Sequence, residues 1–294
     1  PLPDEATPEQ RDARIAELRT LRRRRHRKIA WRSGLGMLLL AVLAVAGLYW
    51  LLTTIAGRDF LLARIRGLLP TGTELSWKSA EGPVSGPMTL HGVHVVYRGC
   101  PDENGKPVTY PACKTPLVTT FNADTVTIRP MLQPLLGRKL RLDSIAITDA
   151  TLDLPHDDKP FELPRWPQSL PQVGTPLPIR FDAIAIDNLA VTRVGVPLVD
   201  VRSVRGALEV EEGRLHADHV VAETDRGDFK VDGDYAPADR YRMALTASAL
   251  MPAPLGRTRP VIGLAARGDL DRMDIALSGN VPAPLYAHLT LKNG

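Results

Sequence analysis

The hydrophobic pattern opens with an unbroken apolar run. From Ser33 to Ala56 the chain reads SGLGMLLLAVLAVAGLYWLLTTIA, 24 positions without a charge. As a helix at about 1.5 Å per residue this is ~36 Å long, enough to cross a hydrocarbon layer of ~30 Å with some tilt. Trp31 precedes it, and Tyr49 and Trp50 stand near its far end, where interfacial aromatics belong. Residues 57–70 (GRDFLLARIRGLLP) then place Phe60, Leu61, Ile65, Leu68 and Leu69 at near-helical spacing, with Arg58, Arg64 and Arg66 between them. This predicts a short amphipathic helix stopped by Pro70, lying either at the membrane surface or in the core of the next domain.

From residue 71 to 294 the period changes to two. Alternating segments predict strands over Phe121–Arg129, Gly206–Glu211, Arg214–Glu223, Asp228–Tyr235, Tyr241–Leu250, Val261–Leu270, Arg272–Ser278 and Pro284–Leu291. Glu212-Gly213, Asp225-Arg226-Gly227, Pro237-Ala238-Asp239 and Gly279-Asn280 supply the turns between them. Only a turn or two of helix is expected, near Pro130–Gly137. The pattern is that of a mainly β protein, an antiparallel β-meander of successive hairpins. Seven prolines between Pro155 and Pro178 mark an extended connector or an edge-covering loop.

The meander contains a repeat. LRLDSIAI (140–147) recurs as IRFDAIAI (179–186), 39 residues on, with a fainter copy, MTLHGVHV, at 88–95. In each, large apolar residues fall at i, i+2, i+5 and i+7, so their parity switches midway. A regular strand would turn half of them to the wrong face. A bulge or corner near Asp143 and Asp182 would return both halves to one face. The repeat points to an elongated, curved sheet, against the alternative that two sandwich strands share a composition.

Charge is informative once the chain is divided at the apolar run. Of the 37 Lys and Arg, ten lie in residues 1–32 against five acids; the remaining 262 residues carry 27 bases and 28 acids. A near-neutral body with 5% aromatic residues excludes a nucleic-acid-binding surface. Arg22, Arg23, Arg24, Arg25, Arg27, Lys28 and Arg32 crowd the upstream flank of the span. The positive-inside rule therefore predicts a cytoplasmic basic tail (1–32), a transmembrane signal anchor (33–56) and an external remainder. The competing reading is a signal peptide cleaved after Ala44-Val45-Ala46, against which the apolar run continues for ten more residues. Pro1 is no natural start, so a chain shortened at its beginning is expected.

Chemistry-bearing motifs are sparse. Cys100 and Cys113 bracket PDENGKPVTYPA on the external side and read as one disulfide. The alternative, half of a metal site, lacks a histidine between residues 95 and 155. His91 and His94, like His216 and His219, lie three apart on strands, so simple alternation sends each pair to opposite faces. There is no G-x-S-x-G, S-x-x-K, H-E-x-x-H or Gly-rich phosphate loop. No catalytic residue, metal ligand or cofactor site is predicted.

The functional candidate is the apolar face itself, with Leu142, Ile145, Ile147, Ile184, Ile186, Leu208, Val210, Phe229, Val231, Leu245, Met273, Ile275 and Leu277 as its lining. With no helical layer to cover them, these strands either close as a sandwich or curl into a trough whose concave face holds apolar ligand.

The order of these features resembles the TamB-type inner-membrane subunits of translocation and assembly modules, within the wider AsmA-like group. The resemblance is carried by TTIAGRDFLL at the membrane exit, GPMTLHGVHVVY, the Cys-bracketed loop, RLDSIAITDATLDL, the Pro-rich insert closing in TPLPIRFDAIAIDNLAV, and the hairpins that follow to about residue 290. It implies a single-pass bacterial inner-membrane protein whose periplasmic β-trough carries phospholipid acyl chains toward the outer membrane. It further implies an Omp85-type partner, TamA, met through a larger C-terminal part beyond this chain, and outer-membrane protein clients. The rival expectations are a chaperone-like factor that pairs with client β-strands, and an envelope scaffold with a closed β-sandwich.

Overall fold

The computed structural model describes residues 33–67, 69, 71–101, 107–108, 116–131, 133, 139–156, 178–211, 213–254, 256–280 and 283–292. The chain divides into two compact units, Pro1–Leu52 and Thr53–Gly294. The expected basic tail, Cys113, most of the Pro-rich insert and most of the turn near Pro130–Gly137 lie outside the described residues.

Helix α1 spans Ser33–Thr53, and its 18-residue apolar window has mean hydropathy 2.4. It is long and apolar enough to cross a membrane by length and composition. The expected span runs to Ala56, but the helix breaks at Thr54. There the Thr54 hydroxyl accepts a hydrogen bond from the Gly57 amide at 3.1 Å, capping a second helix, α2 (Ile55–Arg66).

The rest is mainly β. In chain order the strands are β1 (Thr73–Ser76), β2 (Ser79–Glu81), β3 (Met88–Pro101), β4 (Pro107–Val108), β5 (Leu117–Met131), β6 (Leu140–Leu154) and β7 (Ile179–Arg193). They continue as β8 (Val196–Glu211), β9 (Arg214–Thr224), β10 (Gly227–Ala236), β11 (Arg242–Leu250), β12 (Val261–Gly268), β13 (Arg272–Asn280) and β14 (Pro284–Lys292). They form one curved, unclosed sheet in the order β1-β3-β5-β6 and onward in sequence to β14, with β2 and β4 paired to β3. The closed sandwich is thereby replaced by a path with two ends.

All eight predicted strands are present, within a few residues except at β8, whose first half, VPLVDVRSVR, the sequence pattern does not reveal. The meander has one exception. β6 and β7 pair in parallel, so the Pro-rich segment between them is a crossover and not a hairpin turn. Their register is Leu140↔Ile179, Ile147↔Ile186 and Leu154↔Arg193. The 39-residue period of the sequence is thus the sheet register itself.

The predicted corners are real. Opposite β5, one extra residue, Asp143, separates Ser144 from Leu142. On β7, the two residues between Phe181 and Ile184 (Asp182 and Ala183) face the single Ala207 between Leu208 and Gly206. A second line of irregularity crosses at Gly92, Asp124, Asp149, Asn188 and Arg202, which stand across from one another. Gly92, Asp149 and Asn188 have positive φ there (60°, 52° and 58°), and the Asn188 amide donates to Asp149 at 3.0 Å. The faint copy at 88–95 belongs to this second line and is not equivalent in register to the other two.

Helix α2 packs on the sheet. Leu62 is 6% exposed in a cluster with Met88, Leu90, Val93, Ala123, Val126 and Ala150. Of the two readings open for this helix, core packing holds for the Leu62 face. Phe60 is 63% exposed on the other side.

Candidate functional site

Cross-strand partners share a face, so the register assembles the apolar surface row by row. One row runs Leu142↔Phe181↔Leu208↔Ala217↔Gly233↔Leu245↔Ala266↔Ile275↔Leu289. A second runs Ile147↔Ile186↔Val204↔Ala222↔Phe229↔Ala249. Both include β11, where Leu245 and Ala249 lie four apart on a regular strand, so the two rows occupy the same side. Ile145↔Ile184 lies between them, Val231↔Ala247↔Leu264↔Leu277 alongside, and Val210 and Met273 at one end. The sheet brings all thirteen predicted lining residues to one face.

That face is unevenly filled. Met273 (1% exposed) is enclosed by Tyr235, Met243 and Ala266, and Leu142 and Val210 are also buried. Val231 (37%), Leu264 (39%) and Leu289 (53%) remain open. Between these regimes lies a depression of 280 Å³ lined by Leu215, Ala217, Val231, Gly233, Tyr235, Met243 and Leu245. No charged side chain enters it.

The predicted lining is too short a list. Leu215, Ala217, Val220 and Ala222 on β9 repeat the i, i+2, i+5, i+7 spacing, with a bulge at Asp218-His219. Alanine at two of the four positions hides the signal. Phe121, Ala123, Val126 and Ile128 on β5 follow the same rule.

The opposite face is polar and internally paired. Asp182 accepts from the Arg141 Nε at 2.6 Å and from the Arg180 Nε at 2.7 Å. These bonds, Arg141 foremost, hold its carboxyl below the ordinary value. Arg205 donates to Asp187 at 2.6 Å, and Thr290 to Asp274 at 2.6 Å. The Gly195 amide and the Thr192 hydroxyl lower the Asp153 carboxyl in the same manner.

The histidines require a correction. His91 and His94 are both on this polar face, opposite Thr125 and Asn122, because the chain switches parity at Gly92. His216 meets Asp234 at 3.0 Å and His219 meets Asp232 at 3.5 Å, again on one face, because the β9 bulge adds a residue between them. The irregularity that aligns the hydrophobics aligns the histidines too. Asp218, His219 and Asp232 hold ligand atoms within 4.8 Å of one another, spacing that would suit a metal ion, but all three are exposed. Hydrogen bonding to Asp218 raises the His219 pKa.

Cys100 is 1% exposed at the end of β3. No family model matches the chain, and neither a curated protein nor a solved structure matches it.

Proposed function

We propose that this chain is a membrane-anchored, non-enzymatic conduit for phospholipid acyl chains, of the TamB type its sequence resembles. The supporting observation is the apolar face: rows of Ile, Leu, Val and Ala continue across the strands of an unclosed sheet whose other face is polar. Each methylene kept from water on such a face is worth ~0.8 kcal/mol, without directional bonds that would hold it in place. An acyl chain is therefore retained yet free to slide. In this reading α1 crosses the bacterial inner membrane with the N-terminus cytoplasmic, Cys100 and Cys113 are disulfide-bonded in the periplasm, and an Omp85-type partner, TamA, receives the lipid.

Photo-crosslinking amino acids at Ile145 and Ile186 are expected to capture phospholipid, with Arg141 on the polar face silent. Capture at Arg141 alone would overturn the proposal. A second reading, pairing with outer-membrane protein strands, is favoured by β14, which among the described residues pairs only with β13 and exposes Leu285 and Leu289. Prolines placed along β14 would abolish client capture under that reading and leave lipid capture unchanged under the first.

A further inference from the structure

Helix α2 has two committed sides, and only one is covered by protein. Toward the sheet, Leu62 is buried in the β3–β5–β6 cluster. Arg58, 6% exposed, donates to the Gly82 carbonyl at 3.2 Å, and the Arg66 guanidinium stacks 3.8 Å from the centre of the Trp77 ring. Phe60 lies two positions before Leu62, about 200° around the helix, and points to the opposite side. It is 63% exposed, beside the exposed Ala56, Ala63 and Arg64.

We infer that this outer side of α2, with Phe60 as its anchor, docks on a phospholipid bilayer surface. Thr54 alone separates α2 from α1, which has the length and hydropathy of a membrane span. A helix beginning one residue beyond such a span starts at the headgroup level. The charge fits an anionic surface. Asp59, the helix's one acid, is held by Arg58 through bonds of 2.9 and 2.7 Å, leaving Arg64 as an exposed cation beside the ring. Leu62, which lies outside the stripe expected from sequence, seals against the sheet, and Phe60, which belongs to that stripe, faces lipid. Helix α2 becomes a bracket that fixes one end of the apolar face at the bilayer.

The inference rests on α1 spanning the membrane and not on the apolar face carrying lipid. The test uses the full chain in phosphatidylethanolamine/phosphatidylglycerol vesicles, with a benzophenone amino acid at position 43, 60, 62 or 145 in turn. Lipid adducts at 43 report insertion, and those at 145 report the conduit separately. Adducts at 60 are expected at least tenfold above those at 62. Absence of lipid at 60 with adducts at 43 would overturn the inference; so would equal yields at 60 and 62. Because a bulky probe at 62 can disturb packing, Phe60→Trp in dibrominated lipid gives an independent readout. The added emission is expected to be quenched at least by half, and unquenched emission rejects bilayer contact.

Discussion

A single carboxylate placed on the open part of the apolar face separates lipid carriage from folding. Val231 is the position to use. It is 37% exposed and sits in a row with Ala247 and Leu264, at the edge of the 280 Å³ depression. Full burial of a valine is worth ~1.5–3 kcal/mol, so at this exposure Val231→Glu costs about 1 kcal/mol of fold stability, and its carboxylate keeps access to water. An acyl chain crossing the same spot loses about three methylenes of contact at ~0.8 kcal/mol each, ~2.4 kcal/mol in all, or roughly fifty-fold in occupancy. Ser248→Glu is the matched control. It adds the same charge on the polar face, directly across from Lys230. Lipid that copurifies with the full chain, extracted and quantified by mass spectrometry, is the assay, with urea unfolding run alongside. The reasoning is refuted if Val231→Glu retains wild-type lipid, or if Ser248→Glu loses as much.

Three other outcomes follow from packing, charge and backbone geometry. Met273→Ala, at a position 1% exposed, is expected to lower the unfolding free energy by ~2–5 kcal/mol, whereas Leu289→Ala on the same face, 53% exposed, costs less than about 1, both by denaturant titration. Asp182→Asn removes a carboxyl whose pKa is lowered by Arg141 and then Arg180, so the wild-type advantage of about 1 kcal/mol is full at neutral pH. That advantage fades as pH falls from the ordinary value of 3.8 through the lower folded one, and urea midpoints of both proteins across pH 7 to 3 check it. Gly233→Ala puts a Cβ 2.0 Å from the Ala244 carbonyl oxygen at φ 128°, so thermal unfolding is expected to report a loss larger than the ~1 kcal/mol of an ordinary glycine change.

Much of this architecture was legible because large hydrophobics carry their own geometry. Leu140, Leu142, Ile145 and Ile147 announce both a strand and its corner, and the copy 39 residues on announces the neighbour it pairs with. The direction of that pairing was not legible. Parallel and antiparallel strands present the same alternation, and the Pro-rich linker reads alike as a long loop or a crossover. The histidines were misplaced for two reasons. Simple alternation does not hold for His91 and His94 across the parity switch that Met88, Leu90, Val93 and Val95 already mark at Gly92. On β9 the Asp218-His219 bulge is hidden because two of its four flanking apolar residues are alanines. The inward turn of Leu62 was equally hidden, since Phe60, Leu61 and Leu62 are similar as hydrophobics and only the sheet decides which is covered. The polar face followed from alternation; its specific ion pairs depend on register.

The corner at Asp143 also determines where this chain tolerates a change of length. Remove Asp143, and Leu142 and Ile145 become next-but-one neighbours in an evenly pleated strand, with every side chain still on its own side. Remove a residue from β11, which has no such surplus, and one half of the strand exchanges its apolar and polar sides. The bulges are therefore spare links: places where a residue is lost without turning the surface over, and so the natural sites at which such a sheet is trimmed.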